Sequence, residues 1–413
     1  MSLFAILKSS GTQSGRLTDR SFDQCLKCTA CSSQCPVAAV RPDYPGPKQC
    51  GPDGERLRLK SPDFLDEALK YCTGCKRCEV ACPSNVRISD IIAAARTTYG
   101  DQKFKVREFM LSHTDLMGTL TRGSAPLVNK MTGLKPVKLL LDKGLGVDQR
   151  RQFPPYAKTS FRKQFETVAG SQQQYARQIS YFHGCSVNYN MPELGMDLVR
   201  VLNAMNIGVR LLKKEKCCGV PLVANGFPDK ARKNGTLNIA SFEQAMTEGS
   251  EGILSTSSSC ALMLKDEYPH VLGLDNSKVQ SNISFITRFL AHEFEAGNKP
   301  KMKPVNLKVA YHSPCHLIKA GGVLHTLNVL WEIPGLELQQ LNSNCCGIAG
   351  TYGFKKENYE TAQAIGSPLF KQIEESGADY VVTDCETCKM QVEMSTSKKV
   401  LHPLELLRMA LVD

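Results

Sequence analysis

Two long stretches in the second half of the chain share one pattern of apolar and polar positions. Short runs rich in β-branched and aromatic residues, "QISYFHGC" and "LKVAYHSPC", each pass into a segment whose apolar residues recur at helical spacing. A second run follows each, "VRLLKKEKCC" and "LELQQLNSNCC", then another helical segment and a third run, "GILSTSSSC" and "ADYVVTDCETC". Strands alternating with segments long enough to cross over predict two repeated α/β units with parallel sheets. The cysteines keep register across the repeat: Cys315 follows Cys185 by 130 residues, and Cys345 and Cys388 follow Cys217 and Cys260 by 128 each. Every cysteine group falls at the carboxyl end of a predicted strand, the edge at which parallel sheets bind ligands.

The first hundred residues carry helical patterns instead. In "SPDFLDEALKYC", Ser61 stands as an N-cap with Pro62 at the first helical position, and Phe64, Leu65, Ala68 and Leu69 share one face. "RISDIIAAARTTYG" shows the same spacing further on. The expected fold is a multidomain α+β one: a helical unit over 21–100, a linker over 101–175, a first α/β unit over 176–300 and a second over 305–413. The opening "MSLFAILKSSGTQSGRLTDR" has an apolar run too short for a signal peptide and no cleavage pattern, so a reducing cytosol is expected, and residues 1–20 receive no role. No run approaches the roughly 18 apolar residues of a membrane span.

Charge changes the view of the linker. The 413 residues carry a formal net charge of +11. Between Lys103 and Lys163, thirteen Lys or Arg face only Glu108, Asp115, Asp142 and Asp148, a local excess of +9. No zinc finger, helix-turn-helix or RNA-binding signature accompanies it, so nucleic acid is not an expected partner. A basic segment interrupted by apolar residues suits an anionic membrane surface, and equally a solvated face between domains.

The candidate chemistry lies in the cysteines: of 18, all but Cys50 fall within motifs. "CLKCTACSSQCP" (Cys25 to Pro36) and "CTGCKRCEVACP" (Cys72 to Pro83) share the spacing C-x2-C-x2-C-x3-C-P. A disulfide framework conflicts with a reducing compartment, and zinc ribbons take cysteines in pairs without a third at the same step. The pattern is the bacterial ferredoxin run, in which three thiolates hold one [4Fe-4S] cubane and the fourth crosses to the other cluster. The expected ligand sets are Cys25, Cys28, Cys31 and Cys82 for one cluster, and Cys72, Cys75, Cys78 and Cys35 for the second. Cys50, in "YPGPKQCGPDG", is read as a structural free thiol.

The repeat adds adjacent cysteines followed by glycine, Cys217-Cys218-Gly219 and Cys345-Cys346-Gly347. Neighbouring thiolates are awkward on one zinc but fit a cluster offering several irons, and the glycines are expected to let backbone approach it closely. The second unit supplies five thiols: Cys315, Cys345, Cys346, Cys385 and Cys388. The first supplies Cys185, Cys217, Cys218 and Cys260, with Ser257 where Cys385 stands. The five-thiol set resembles the CCG domain of heterodisulfide reductases, and that resemblance implies a noncubane [4Fe-4S] cluster in the second unit. For the first unit a further Fe-S cluster and mere packing both stay open.

His312 and His316 flank Cys315, and His183 precedes Cys185. Each is a candidate either for hydrogen bonding to cluster sulfur or for donating a proton to a quinone oxygen. The glycines of "GIAGTYG" are spaced G-x2-G-x2-G, which is no dinucleotide fingerprint, and no P-loop or hydrolase elbow is present. The chain can pass electrons but has no evident means to take a hydride, so it needs a flavin or nicotinamide partner.

The stretches "YPGPKQCGPDGERLRLK", "LSHTDLMG", "KEKCCGVPLVANGF" and "CCGIAGTYGFKKENY" resemble the iron-sulfur C subunits of the anaerobic sn-glycerol-3-phosphate dehydrogenase complexes of bacteria. The resemblance covers nearly the whole chain from Ser21. It implies a non-catalytic electron-transfer protein that accepts electrons from flavoprotein subunits oxidising glycerol 3-phosphate and delivers them to menaquinone. It further implies a peripheral protein on the cytoplasmic face of the inner membrane, helping to attach the complex there. The cluster motifs alone equally suit the iron-sulfur subunit of a glycolate or lactate oxidase-type complex, or a heterodisulfide reductase-like thiol-disulfide enzyme.

Overall fold

A computed structural model describes residues 21–61, 66–99 and 105–412. The N-terminal unit is helical. Two single-turn helices, α1 (Ala30–Ser33) and α2 (Arg77–Val80), each carry the third cysteine of a motif, and α3 (Ile88–Tyr99) supplies the core. Ile88, Ile91, Ile92 and Ala95 of α3 are fully buried against Val37, Cys50 and Leu69. Their spacing is that of one helical face, and each isoleucine so buried contributes about 1.5–3 kcal/mol. The first turn of the helix expected to start at Ser61 falls on residues outside the described ones. Ser61 closes the preceding helix Gly54–Lys60, its N–H bonded to the Leu57 carbonyl. A shorter 3-10 turn, Glu67–Tyr71, is capped by Asp66, whose carboxylate accepts the Ala68 N–H at 2.8 Å. Pro62, Phe64 and Leu65 lie outside the described residues.

Within the basic segment expected as a linker, residues 105–145 form four short helices and a closing turn: α4 (Val106–Ser112), α5 (Thr114–Leu120), α6 (Ala125–Gly133) and α7 (Lys135–Leu140). They rest on both repeat units. Towards the first, His113 stacks on Phe109 at 4.0 Å and meets Phe227 edge-on at 5.0 Å, and Gly118 lies so close to Tyr189 that a Cβ would stand 2.3 Å from its ring. Towards the second, Arg107 pairs with Glu357 at 2.8 Å and Val147 bridges to Lys355.

The repeat units each hold a four-stranded parallel sheet. The first comprises β1 (Arg177–Phe182), β2 (Ile207–Leu211), β3 (Ile253–Ser255) and β4 (Ile283–Phe285), in the order β2-β1-β3-β4. The second repeats it with β5 (Lys308–Tyr311), β6 (Glu337–Gln340), β7 (Tyr380–Val382) and β8 (Val400–Leu401), in the order β6-β5-β7-β8. Central strands buried on both faces, as β1 is from Gln178 to Phe182, are the reason these runs are near-continuously apolar. Each sheet has a fourth strand beyond the three the pattern showed. The strands before the paired cysteines stop early, at Leu211 and Gln340, leaving a loop to carry the thiols.

The two units share one core. Ile179, Leu198, Val201 and Leu254 of the first pack in the same cluster as Val309, Leu330, Val382 and Leu404 of the second. Helix α8 (Pro192–Ala204) of the first unit packs against the C-terminal helix Pro403–Ala410, where Arg408 reaches Asp197 at 3.2 Å. This shared core fixes the sheets side by side with their cysteine-bearing edges facing each other.

Candidate metal centres

The two ferredoxin-type motifs curl in the same way. Lys27 and Thr29 in the first, and Gly74 and Lys76 in the second, all take positive φ, between 58° and 68°. Left-handed residues cost an L-side chain about 1–2 kcal/mol, so their recurrence at equal positions reflects a shared wrap around one site. The structure brings Cys35 together with Cys72, Cys75 and Cys78 around one small cavity. Cys82 comes to the other group, close enough to Cys31 for the two thiols to interact, with Cys25 alongside. Burial pushes the Cys35 thiol up to about 12, and Cys75 and Cys72 add to it. Such thiols stay protonated unless a cation takes the proton's place, which is how cluster ligands behave. Cys50 is buried next to Asp66, Sγ to Oδ2 3.5 Å, and lines neither this cavity nor the larger one.

The larger cavity, 690 Å³, is lined by all nine cysteines of the two repeat units together with Cys72 and Cys75. In the second unit Cys346 and Cys388 stand 3.2 Å apart, and His312 offers a ring nitrogen within 4.8 Å of both sulfurs. In the first unit Cys218 and Cys260 stand 3.3 Å apart. The donors are soft sulfur throughout, a set that selects iron-sulfur clusters or zinc over hard cations. Both ring nitrogens of His312, itself fully buried, lack a protein partner among the described residues. Burial lowers its pKa to about 4. A neutral imidazole beside two thiolates, with an N–H unspent, fits a site whose inorganic or cysteine sulfur would accept that hydrogen bond.

The missing fifth thiol of the first unit has a structural counterpart. Ser257 caps the short helix α9 (Ser258–Leu262), its Oγ accepting the Cys260 N–H at 3.5 Å and donating to Glu386 Oε2 at 3.0 Å. Cys385 holds the same N-cap position before α10 (Glu386–Ser395), its Sγ 3.2 Å from Thr387 Oγ1. The two paired-cysteine glycines differ in what surrounds them. Gly347 has φ 87°, and a Cβ there would stand 2.0 Å from the Ala362 carbonyl oxygen, so it lets the loop lie against the helix Tyr359–Glu375. Gly219, φ 107°, would meet only side-chain atoms of Ala231 and Met263 first, at 3.1 and 3.4 Å.

The three histidines separate. His183 has both ring nitrogens committed, Nδ1 with the Gly184 carbonyl at 2.7 Å and Nε2 accepting from Arg162 Nε at 2.9 Å, and does not line the cavity. Burial lowers its pKa to about 3. His316 lines the cavity and bridges units, Nδ1 to Ser259 Oγ at 2.8 Å and Nε2 to the Gly74 carbonyl at 3.2 Å.

Several contacts were invisible in the sequence because they join distant residues. Arg77 donates to Cys315 Sγ at 3.9 Å and to the Ser343 carbonyl, and Cys75 lies within hydrogen-bonding reach of Cys315, so the second ferredoxin-type set abuts the five-thiol set. Lys76, 4% exposed, pairs with Asp90 and with Glu267 at 2.7 Å, while Glu79 pairs with Lys319 at 3.0 Å and Arg87 with Asp266 at 3.0 Å. These ions lock the helical unit onto both repeat units. Above the first set, Thr114 Oγ1 donates to Cys217 Sγ at 3.7 Å and Asp115 accepts the Cys217 N–H at 2.5 Å.

Comparison with known proteins follows the same divisions. The 4Fe-4S dicluster domain family matches residues 21–86, and the cysteine-rich domain family matches twice, over 179–265 and 309–393. The C subunit of anaerobic glycerol-3-phosphate dehydrogenase from Escherichia coli K12 is 58% identical over 96% of this chain and 100% of its own length. The B subunit of fumarate reductase (CoM/CoB) from Methanothermobacter marburgensis is 30% identical over 94% of this chain and 72% of its own. The D subunit of dihydromethanophenazine:CoB–CoM heterodisulfide reductase from Methanosarcina barkeri is 26% identical, over 89% and 87%. The arrangement of one dicluster unit before two cysteine-rich units, with likeness from end to end, shows that this chain belongs to the family of anaerobic glycerol-3-phosphate dehydrogenase C subunits.

Proposed function

We propose that the chain is the iron-sulfur electron-transfer subunit of a glycerol-3-phosphate dehydrogenase complex, passing electrons from flavoprotein subunits to menaquinone at a membrane surface. The observation that carries the reading is the continuity of the cysteine sets. Cys28, the exposed cysteine, marks an outer set, Cys25, Cys28, Cys31 and Cys82. Cys35, Cys72, Cys75 and Cys78 form an inner one, and Cys75 abuts Cys315 of the five-thiol set at the cavity. Iron-sulfur clusters bound at these sets supply one-electron steps between a two-electron flavin and a two-electron quinone. We extend the assignment to the four thiols of the first unit, whose Cys218–Cys260 approach mirrors Cys346–Cys388. Around them the protein holds geometry: Arg77 fixes Cys315 against the inner set, His312 faces sulfur, and His316, the one of the three histidines that lines the cavity, is held in its wall between Ser259 Oγ and the Gly74 carbonyl.

The test uses the anaerobically purified protein mixed with its flavoprotein subunits. Glycerol 3-phosphate is expected to bleach the visible cluster absorbance, and menaquinone to restore it. Clusters that stay oxidised with glycerol 3-phosphate but respond to glycolate or lactate with the matching flavoprotein, or disulfide turnover by the isolated chain, would overturn the reading.

A further inference from the structure

Nine of the sixteen exposed large apolar residues of the described chain lie between Val106 and Leu140, on α4 to α7 and, for Leu134, at the junction of α6 and α7. Leu120 is 67% exposed, Leu127 60% and Leu140 70%. A cluster of this kind is seldom left to water. The charges around it are one-sided: from Leu116 to Val147 the basic residues are Arg122, Lys130, Lys135, Lys138 and Lys143, and the sole acidic residue is Asp142. Asp142 is buried and paired with Lys356, whereas none of the five basic residues forms an ion pair among the described residues. The remaining arginines of the segment are otherwise engaged: Arg107 with Glu357, Arg150 with Glu360, Arg151 buried against the Gly353 carbonyl and Arg162 on His183. The excess positive charge therefore gathers beside the apolar residues.

The same helices roof the cysteine cavity. Met110, Leu120 and Met131 line it and are also exposed, at 41%, 67% and 47%, while Leu111, Val128 and Val137 continue the apolar lining inward. A volume of 690 Å³ lies within the range of small-molecule sites and is shared with whatever the thiols hold. We infer that α4 to α7 form a lipid-facing portal: their apolar face rests in an anionic bilayer surface, and the cavity opens there between Leu120 and Met131, so that a long-tailed quinone passes from lipid to the cysteines without crossing water. The inference deepens the proposed function and rests on quinone being the acceptor. Burying leucine and methionine side chains in the interface supplies the apolar contribution, and each nearby Lys or Arg adds about 1 kcal/mol on an anionic surface. A protein partner covering this face would need a complementary acidic surface, and the connection to the cavity would then serve nothing.

The test follows reoxidation of the chemically reduced, cluster-loaded protein by two naphthoquinones, tail-less menadione in solution and long-chain menaquinone in vesicles of phosphatidylcholine with phosphatidylglycerol. In the mouth variant Leu120→Asp/Met131→Asp the vesicle menaquinone rate is expected to fall roughly tenfold or more, and by a larger factor than the menadione rate. Leu120→Ser/Met131→Ser, with unchanged iron content, is expected to shift the same way by less, and serves if the carboxylates disturb folding. The charge reversal Lys130→Glu/Lys135→Glu is expected to weaken vesicle binding roughly 10²- to 10³-fold, and detergent-dispersed menaquinone to restore its rate. Mouth variants that reduce vesicle menaquinone at the wild-type rate, or charge reversals that spare vesicle binding while releasing the flavoprotein subunits, overturn the portal. A wild-type protein that reduces neither quinone overturns the proposed function itself.

Discussion

Removing the Lys76 charge should undock the helical unit from the rest of the protein. Lys76 sits among Asp90, Glu79 and Glu267, at 4% exposure against 2%, 1% and 10% for their side chains. Lys76→Met keeps the stem but leaves three carboxylates without the cation they share. Breaking a buried pair in this way costs about 3–5 kcal/mol, against a total stability on the order of 5–15 kcal/mol. Glu267 belongs to the first repeat unit and the other two carboxylates to the helical unit, so the loss falls on the contact between them. At about 1.4 kcal/mol per tenfold, the closed state should lose roughly 10²- to 10³-fold in population. Hydrogen exchange reads this locally: α3 amides should lose protection by that factor while β1 and β5 stay unchanged. Lys76→Met/Glu267→Gln should recover part of the loss, because one stranded charge is gone. The reasoning fails if α3 in Lys76→Met exchanges within about threefold of wild type.

Three other substitutions probe the site. Gly347→Ala combines a left-handed cost of about 1–2 kcal/mol with overpacking of about 1–3 kcal/mol against the Ala362 carbonyl, and should strip the five-thiol set of iron; Gly219→Ala, whose nearest contacts are side-chain atoms that can give, adds less overpacking to the same left-handed cost and should keep its iron. Equal iron loss in both would contradict this. Burial lowers the pKa of His402, a helix N-cap whose Nε2 meets the Thr256 carbonyl at 3.1 Å, to about 3. The unfolded chain near 6.5 therefore binds the extra proton, so stability is full above pH ~6.5 and falls by about 1.4 kcal/mol per unit as pH drops toward 3. Anaerobic denaturation between pH 5 and 7 should show a shallower slope in His402→Asn, the difference approaching one proton toward pH 5, and identical slopes would refute the assignment. Ser257→Cys, placing a thiol at the N-cap position that Cys385 holds in the other unit, should keep or raise iron per chain, and a drop in iron would count against it.

Spacing made the cysteine chemistry readable because ligands three residues apart reveal themselves locally, as Cys25, Cys28 and Cys31 do. Apart from the exposed edge strand β6, the leading strands were readable because parallel strands buried on both faces are largely apolar. The fourth strands, β4 and β8, span three and two residues and lack the cysteine group that ends each leading run. Ser61 closes the helix before it and Asp66 caps the following 3-10 turn, contacts that no local spacing announced. Nothing near Lys76 announces Glu267, nor does Arg77 announce Cys315, since these partners meet only after the units dock. The basic segment read as a linker because its helices are short and their apolar residues face both the cavity and the outside, which blurs a single amphipathic stripe.

Iron quantitation with electron paramagnetic resonance on anaerobically purified protein tests the central claim, that four cysteine sets hold clusters and that two of them face one cavity. The account predicts about 16 irons per chain, with signals from the repeat units that disappear on Cys385→Ser and Cys260→Ser separately while those of the ferredoxin-type sets remain. A value near 8 irons, unchanged by either substitution, would contradict it.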